Sequence, residues 1–469
     1  LMYVNGFRGQ VYSTSATAQL CEIMLRDSAH IQMFEAEWRN RKAARSGGKL
    51  KEFVPLYDMD AAVNVCKQFV GCEYDKIYNI ADGIKIRFTD VGHLLGSASI
   101  EVWATEKTEN GDVTEKIVFS GDIGNINKPI IKDPKHVTDA DYVVMESTYG
   151  NRSHGGTPNY VEDLTNIFKR TFERGGNVVI PSFAVGRTQE LLYIIRKIKE
   201  DNLVGRDFDV YMDSPLAIEA TNIFIKNVES CFDDEAVELV RKGINPLSFP
   251  GLKYATTGDE SKQINFDPNP KVIISSSGMC EAGRIRHHLK HNLWRPECTI
   301  VFVGYQAVGT TGRIIVDGAE EIKLFGEPIQ IKAEIVQLKG SSGHADKDGL
   351  LCWINAFDRK PKKVFVVHGE DSVCDEFTEC LKEEYGYDAM APYTGGSYDL
   401  IADRVISEGV KERKTRRTTS TQRGKTVFDR LVAAGKRLMT VITHNEGGTN
   451  KDLAKFTDQI NALCDKWDR

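Results

Sequence analysis

The sequence predicts an α/β protein with parallel strand pairing, and three observations carry that prediction. Short apolar β runs alternate with amphipathic helical runs up to about residue 335, a pattern typical of parallel sheets covered by helices. The 469 residues exceed what one compact core usually contains and indicate two or three domains, or one domain with a large insert. The hydrophobic content of 41% and the charged content of 27% are ordinary for a globular protein.

The spacing of apolar residues and the positions of capping and turn residues predict the individual helices and strands. From residue 11 to about 70, apolar residues at helical spacing behind a Ser/Thr cap predict helix. Four β runs follow between 84 and 145, in IKIRFTDV, ASIEVWAT, EKIVFS and DYVVME. Helices in NYVEDLTNIFKRTFER, FAVGRTQELLYIIRKIKE and SPLAIEATNIF then alternate with strands. A strand in AEIVQL, a helix around 347–357 and a strand in KKVFVV come next, and two amphipathic helices end the chain.

Composition also bears on location and partners. No run approaches the roughly 20 apolar residues that span a bilayer, and no secretory leader is visible. The ten cysteines include no Cys-x-x-Cys pair, which favours reduced thiols and a cytoplasmic protein. The net charge of −6 argues against bulk nucleic-acid binding. A local exception is 411–425, with seven basic residues and one acidic residue, which is either a solvated linker or a contact surface.

Five polar side chains follow apolar β runs, each beside small residues. They are His93, Asp122, Glu146, His344 and His368. Ligands of open α/β sheets collect beyond the carboxyl ends of strands. A single histidine of this kind is more often a buried hydrogen-bonding group, and an Asp in Gly-Asp-x-Gly is often only a turn former. Five in equivalent positions indicate a metal or acid–base site, because histidine and carboxylate are ordinary zinc ligands and a carboxylate can bridge two ions.

These residues lie in motifs that resemble one family. The motifs are VGHLLGSASIEV, FSGDIGN, MESTYGNR, PSFAVGRTQELL, MDSPLA, SSSGMCEAGRIRHHLKHNL, GSSGHAD and VVHGE, over roughly residues 1–400. In that order they resemble the metallo-β-lactamase-fold RNA hydrolases of the β-CASP group, which include RNA-processing nucleases. The resemblance implies a metallo-β-lactamase αββα sandwich, incomplete at its N-terminus, with an inserted α/β β-CASP domain. The sandwich would comprise 1–154 and 336–402, the insert 155–335, and a basic linker with a helical tail 403–469.

The resemblance also implies roles for the five side chains. Two zinc ions would be held by this edge of the sheet, with His93 on the first, His368 on the second and Asp122 bridging both. Glu146 would orient His344, which would help to protonate the leaving oxygen. The implied reaction is metal-dependent hydrolysis of an RNA phosphodiester.

One motif of the family is absent from the printed sequence. The first metal motif, His-x-His-x-Asp-His, would supply four further ligands shortly before YVNGFRGQVYSTSAT, and none of the ten histidines belongs to it. Only three of seven expected ligands are therefore present. Either the chain is an N-terminally shortened form of an ordinary enzyme, or it is a metal-free relative. We favour the shortened form, because the other catalytic residues match.

The RNA would run between the two domains. The segment Ser275–Met279 follows an apolar strand, and its small residues would leave backbone N–H groups free for a phosphate. The candidate contacts are Ser276, Ser277, Gly278 and Met279, and a plain strand-to-helix turn is the alternative. Arg187 and Arg284 are candidate phosphate contacts, or else ion pairs at a domain interface. His287 and His291 are spaced four residues apart on a helix, but the glutamate of a zincin motif is absent, so we expect lining of the cleft or packing rather than metal binding.

The leading hypothesis is an RNA-processing nuclease whose activity depends on the absent motif. The alternatives are a catalytically inactive RNA-binding or assembly subunit, and a different hydrolase of the same fold acting on a small ester. Cleavage within RNA and cleavage from a 5′ end both stay open. RNA is the expected partner, no membrane association is expected, and a homodimer is possible on general grounds.

Overall fold

A computed structural model of the chain describes residues 1–45, 53–109, 111–153, 155, 159–338, 342–411, 435, 438–439, 441–443, 445 and 450–467. The chain divides into two compact units, residues 1–409 and 410–469. The domain boundaries given above inside the first unit remain predictions. The basic segment 411–425, apart from Lys411, lies outside the described residues, as does most of the first predicted C-terminal helix.

The strands of the described residues form two large sheets and three two-stranded pairs. In chain order they are β1 (Val11–Thr14), β2 (Phe69–Cys72), β3 (Ile77–Ala81), β4 (Ile84–Asp90), β5 (Ala98–Thr108), β6 (Gly111–Phe119), β7 (Tyr142–Glu146), β8 (Val178–Pro181), β9 (Asp209–Asp213), β10 (Leu252–Tyr254), β11 (Lys271–Ser275), β12 (Thr299–Phe302), β13 (Glu321–Leu324), β14 (Glu327–Gln330), β15 (Glu334–Gln337), β16 (Lys363–Val367), β17 (Ala389–Met390), β18 (Ser397–Asp399) and β19 (Arg404–Ser407).

Helices cover both large sheets. They are α1 (Ser15–Arg45), α2 (Met59–Cys66), α3 (Tyr160–Glu173), α4 (Arg187–Glu200), α5 (Pro215–Lys226), α6 (Val228–Cys231), α7 (Asp234–Arg241), α8 (Gly258–Phe266), α9 (Ile285–Asn292), α10 (Thr311–Val316), α11 (Lys347–Ile354), α12 (Asp371–Glu383) and α13 (Asn450–Trp467). Within the described part of the C-terminal unit, α13 corresponds to the second predicted amphipathic helix.

The predicted α/β class is confirmed, and the predicted parallel pairing is found throughout one large sheet but in only part of the other. The order β10-β9-β11-β8-β12-β15 makes a six-stranded, all-parallel sheet. Its central strands β8, β11 and β12 are buried throughout, as expected when helices cover both faces. The order β17-β16-β7-β6-β5-β4-β3 makes a seven-stranded mixed sheet, in which β17, β16, β7 and β6 are parallel and β6 to β3 are antiparallel.

Two local predictions were wrong in part. Helix was expected from 11 to about 70, and α1 and α2 lie there, but the segment begins in β1 and ends at β2, which pair in parallel. The antiparallel hairpin of β13 and β14 was not predicted. Both misses concern strands of four residues, whose partners and not their own short patterns decide that they are extended.

A buried carboxylate ties the six-stranded sheet to its helices. Asp213, at the end of β9, is fully buried and accepts hydrogen bonds from Ser261 Oγ at 2.6 Å and Arg284 Nη1 at 2.7 Å. His288 Nε2 lies 2.6 Å from the same carboxylate. Burial favours the neutral acid, but the bonds from His288, Ser261 and Arg284 outweigh it and lower the pKa of Asp213. The strand end, α8 and α9 are thus held at one point.

Replacing Asp213 by asparagine should destabilise the protein. Removing one partner from a buried charged network typically costs about 3 kcal/mol or more, measurable as the apparent free energy of unfolding in urea at pH 7. Because folding lowers the pKa of Asp213, this contribution is fully present above the pKa of an unfolded aspartate, about 3.9. It is lost as the pH falls from there through the lower pKa of the folded protein.

The matched control is Asp209→Asn, on the same strand. The pair of Asp209 with Lys253 is solvent-exposed and should contribute under about 1 kcal/mol. Equal losses of unfolding free energy in the two variants would contradict this account of Asp213.

Candidate functional site

Four of the five predicted side chains lie at one edge of the seven-stranded sheet. Strands β16, β7 and β6 are neighbours and run parallel, with Val367 paired to Glu146 and Phe119 paired to Val144. Strand β4 lies two strands further along and runs in the same direction. The chain therefore leaves all four strands at the same edge, where His93, Asp122, Glu146 and His368 follow.

The fifth side chain, His344, comes from the loop after β15 of the other sheet. An antiparallel bridge pairs Gly124 with His344, and the Ala345 N–H donates to the Ile123 carbonyl at 2.8 Å. Gly124 has to be glycine, because a Cβ there would lie 2.0 Å from the Gly92 carbonyl oxygen. This close packing of backbones brings His344 into the site.

Asp122 lies between two histidines. Its Oδ2 is 3.9 Å from His93 Nε2, and its Oδ1 is 3.4 Å from His368 Nδ1. Ligand-type atoms of His93, Asp122 and His344, and likewise of Asp122, Glu146 and His368, all lie within 4.8 Å of one another. Imidazole nitrogens and a shared carboxylate are donors that suit zinc and similar ions, so the residues fit a metal in kind.

Glu146 and His344 form a directly bonded pair. His344 Nδ1 lies 3.1 Å from both carboxylate oxygens of Glu146. The carboxylate also accepts from the Ile123 N–H and from the Thr148 hydroxyl, each at 2.5 Å. Since Glu146 is buried, these bonds replace the water it has lost. They also fix the orientation of the His344 ring.

Burial and neighbouring charges shift the pKa values of the two facing histidines in opposite directions. The rings of His93 and His344 are 4.4 Å apart. Burial, His344 and Lys128 lower the pKa of His93 to about 4, so its ring is neutral and its nitrogens can act as ligands. For His344, burial lowers the pKa, but the hydrogen bond and charge of Glu146 outweigh it and raise the pKa. The pKa of Glu146 is lowered, because its bonds to His344, Thr148 and the Ile123 N–H outweigh burial.

A cleft of about 1790 Å³ extends from these residues between the two sheets. One wall is a face of α1 that carries Met24, Ile31, Phe34 and Trp38 at helical spacing, each substantially exposed. Sequence analysis identified the helix but not this face. An apolar periodicity of this kind usually marks a buried stripe, and only the structure reveals that it faces an open cleft.

The predicted phosphate loop lines the opposite wall. Ser276, Ser277, Gly278 and Met279 all border the cleft. The prediction of free backbone donors needs a correction at Ser277, whose N–H is used by the Ala282 carbonyl at 3.2 Å. The Ser276 hydroxyl is buried and has no hydrogen-bond partner among the described residues. The Ser276 hydroxyl is thus an unpaired polar group within the loop.

The two predicted arginines line the cleft but are engaged elsewhere. Arg187 pairs with Glu190, which also binds Lys128 from the loop after β6 at 3.0 Å. Arg284 pairs with Asp213 and donates to the Thr256 carbonyl at 2.8 Å. Glu190 lies on the same helix as Arg187, and Asp213 and Arg284 both belong to the six-stranded sheet and its helices. These ion pairs are therefore not the domain-interface pairs given as the alternative, and phosphate contact by either arginine stays a prediction.

The three histidines of α9 form no metal-capable group within the part of the chain that the structure describes. His287 stacks on Phe325 with ring centroids 4.4 Å apart, and His291 lies against Phe266. His288 is buried on Asp213. The expectation of packing at His287 and His291 is consistent with these contacts.

Sequence reasoning missed two polar groups of the site. Thr148 bonds Glu146 and lies 3.2 Å from His368 Nδ1. Lys128 donates to the His93 carbonyl at 3.1 Å. Thr148 lies inside the quoted motif MESTYGNR, which was the available signal, whereas nothing local marks Lys128.

None of the described helices has the length and apolar character needed to cross a membrane.

Comparison with known proteins places this geometry in context. Residues 188–315 match the Beta-Casp domain, and residues 328–392 match the Zn-dependent metallo-hydrolase RNA specificity domain. The chain is 34% identical to a ribonuclease of Thermus thermophilus over 79% of its own length and 77% of that protein. It is 30% identical to transcription termination factor FttA of Methanosarcina mazei, over 83% of its length and 59% of that protein.

A third relative is an RNase J-like protein of Methanocaldococcus jannaschii, 34% identical over 62% of this chain and 65% of that protein. The chain thus spans less than two thirds of the length of these two archaeal relatives.

Proposed function

Because the chain belongs to the metallo-β-lactamase β-CASP family of RNA nucleases, we propose that it hydrolyses RNA phosphodiester bonds in RNA processing or decay. One observation carries the proposal. Asp122 lies between His93 and His368, beside the bonded pair of Glu146 and His344, at the base of a cleft large enough for a polynucleotide. Candidate metal ligands, an oriented acid–base pair and a cleft lie together, which supports the proposal.

The proposed cofactor is zinc, in two ions. His93 and Asp122 would hold one ion, and Asp122 and His368 the other. Bound zinc supplies a water of lowered pKa and neutralises charge on phosphoryl oxygens. Three side chains fill only part of two four-coordinate shells. We therefore propose that cleavage requires further ligands of the His-x-His-x-Asp-His type, a motif to which none of the ten histidines of this sequence belongs.

His344 is the proposed proton donor to the leaving oxygen. Because Glu146 holds Nδ1 of its ring at 3.1 Å, Nε2 is the nitrogen that would donate the proton. The carboxylate is itself fixed by the Ile123 N–H and Thr148. Glu146 thus acts by orienting the imidazole and stabilising its charged form, the arrangement expected of a positioned general acid.

The cleft walls support unpaired RNA as the substrate. The exposed Phe34 and Trp38 of α1 and the exposed Phe183 and Tyr305 of the opposite wall all line the cleft. Aromatic rings along a channel stack the bases of single strands, which a duplex does not offer. Cytoplasmic location and a homodimer stay predictions, the latter open to light scattering of the purified chain.

Asp122→Ala should remove more bound metal than either His93→Ala or His368→Ala, because Asp122 contributes to both proposed ions. Zinc binding by the 469-residue chain is measured by calorimetric titration and by elemental analysis after gel filtration. Asp112→Ala is the control, since Asp112 is exposed near the start of β6, the strand that precedes Asp122. A loss for Asp122→Ala no larger than that for the single histidine variants would rule out bridging.

His344→Ala should lower the rate of RNA cleavage about 10²- to 10⁴-fold, the usual contribution of a general acid, while metal content stays unchanged. Cleavage of a labelled unpaired RNA is followed by gel electrophoresis, both for this chain and for a fusion that adds a relative's His-x-His-x-Asp-His segment ahead of residue 1. His136→Ala, at an exposed loop histidine, is the control. Loss of metal in His344→Ala would identify His344 as a ligand and not as the acid. Absence of cleavage in the unsubstituted fusion, with RNA binding intact, would favour the non-catalytic RNA-binding alternative.

A further inference from the structure

The cations that line the cleft differ in whether they form ion pairs. Lys128 and Arg187 both pair with Glu190, and Arg284 pairs with Asp213. Arg152 and Arg286 line the same cleft and make no ion pair with the described residues. The Arg152 side chain is exposed, whereas Nε of Arg286 is buried without a hydrogen-bond partner, which is unfavourable.

The position of Arg286 in its helix does not explain why a positively charged side chain stands there. Arg286 is the second residue of α9, and the first turn of that helix contains no acidic residue. The N-terminus of a helix carries partial positive charge, and cations stabilise the opposite end. A positive side chain here therefore opposes the helix dipole. Another constraint has to account for arginine at this position.

The Arg286 guanidinium contacts the ring of Phe325, a residue whose backbone conformation is unfavourable. The Arg286 guanidinium carbon lies 4.7 Å from the centroid of the Phe325 ring. Phe325 and Gly326 form the two-residue turn between β13 and β14, where Leu324 pairs with Glu327. Both turn residues have positive φ, +52° and +89°, the geometry that favours Asn-Gly. A bulky side chain at positive φ is an uncommon and strained choice.

The Phe325 ring nevertheless has a clear effect on its neighbours. It stacks with His287, and the two rings are 25° from parallel. Burial and the nearby cations and histidines lower the pKa of His287, so the stacked imidazole is neutral and adds no competing charge. The cation–π contact with Phe325 uses none of the N–H donors of Arg286, and a guanidinium is suited to two-point bonding to an anion.

We infer that Arg286, held by the strained Phe325 ring, binds a backbone phosphate of RNA in the cleft. The inference rests on the proposed function, because it takes RNA as the ligand. Local costs at neighbouring positions, namely positive φ, unfavourable helix-end charge and an unpaired buried Nε, are typical of a site shaped by its ligand rather than by stability. Phe325 is a positioning residue that acts through Arg286.

The test is RNA binding by the full 469-residue chain in EDTA, so that cleavage plays no part. Fluorescence anisotropy with a labelled, unpaired oligoadenylate gives Kd at several salt concentrations. We expect Arg286→Ala to raise Kd about tenfold and to reduce the slope of log Kd against log salt by about one, as for the loss of one phosphate contact. Arg286→Lys, which keeps the charge but not the planar fork, should show a smaller loss.

The matched control is Arg313→Ala, which removes the same charge from α10. Arg313 pairs with Asp317 at 2.7 Å and is absent from the cleft lining. Equal Kd and salt slope in Arg286→Ala and Arg313→Ala, with RNA still bound, would overturn the inference and leave the proposed function standing. If the unsubstituted chain fails to bind RNA, the proposed function itself falls, and this inference falls with it.

Phe325→Asn separates positioning from folding. Asparagine suits positive φ, so the thermal midpoint should not fall, while RNA binding should weaken as in Arg286→Ala. Because Phe325 acts through Arg286, the double variant should bind no worse than Arg286→Ala alone. A Phe325→Asn variant that binds RNA like the unsubstituted chain, or a double variant with additive losses, would overturn the positioning role.

Discussion

The buried carboxylate of Glu146 joins three segments that are distant in the chain. It accepts from the Ile123 N–H in the loop that carries Asp122, and from Thr148 just beyond its own strand. It also holds His344 from the loop after β15 of the other sheet. A buried carboxylate needs such partners, because an unpaired charge away from water is strongly unfavourable. The same bonds that satisfy Glu146 therefore position the groups proposed for metal binding and proton transfer.

Some of the cations that line the cleft form ion pairs with carboxylates, and others do not. Glu190 forms ion pairs with both Lys128 and Arg187, which leaves one positive charge among the three, and Asp213 pairs with Arg284. These pairs hold elements together and form a rigid support, which allows strained groups beside the cleft to persist in a folded protein. The net charge of −6 is compatible with binding RNA, because affinity for phosphates depends on the cations that remain unpaired inside the cleft and not on the total.

Local sequence determined a large part of this protein. The alternation of strands and helices predicted the α/β class and the parallel sheet. Four of the five polar residues after β runs meet because strand ends of one direction share an edge of a sheet, whereas His344 joins them from the loop after β15 of the other sheet. Motif spacing also identified the family. These features are readable because they depend on periodicity and on side chains adjacent in the chain.

Only the tertiary structure decided which groups are free. Arg187, Arg284 and Arg286 have the same chemistry in the sequence, yet the first two face carboxylates and the third faces the Phe325 ring. The apolar face of α1 has the spacing of a buried stripe, yet it lines an open cleft. Arg187 pairs with Glu190 three residues on, but Arg284 and Arg286 contact Asp213 and the β13–β14 turn, which are far away in the chain. Whether such a side chain is paired is decided by its neighbours in space, which a local pattern does not contain.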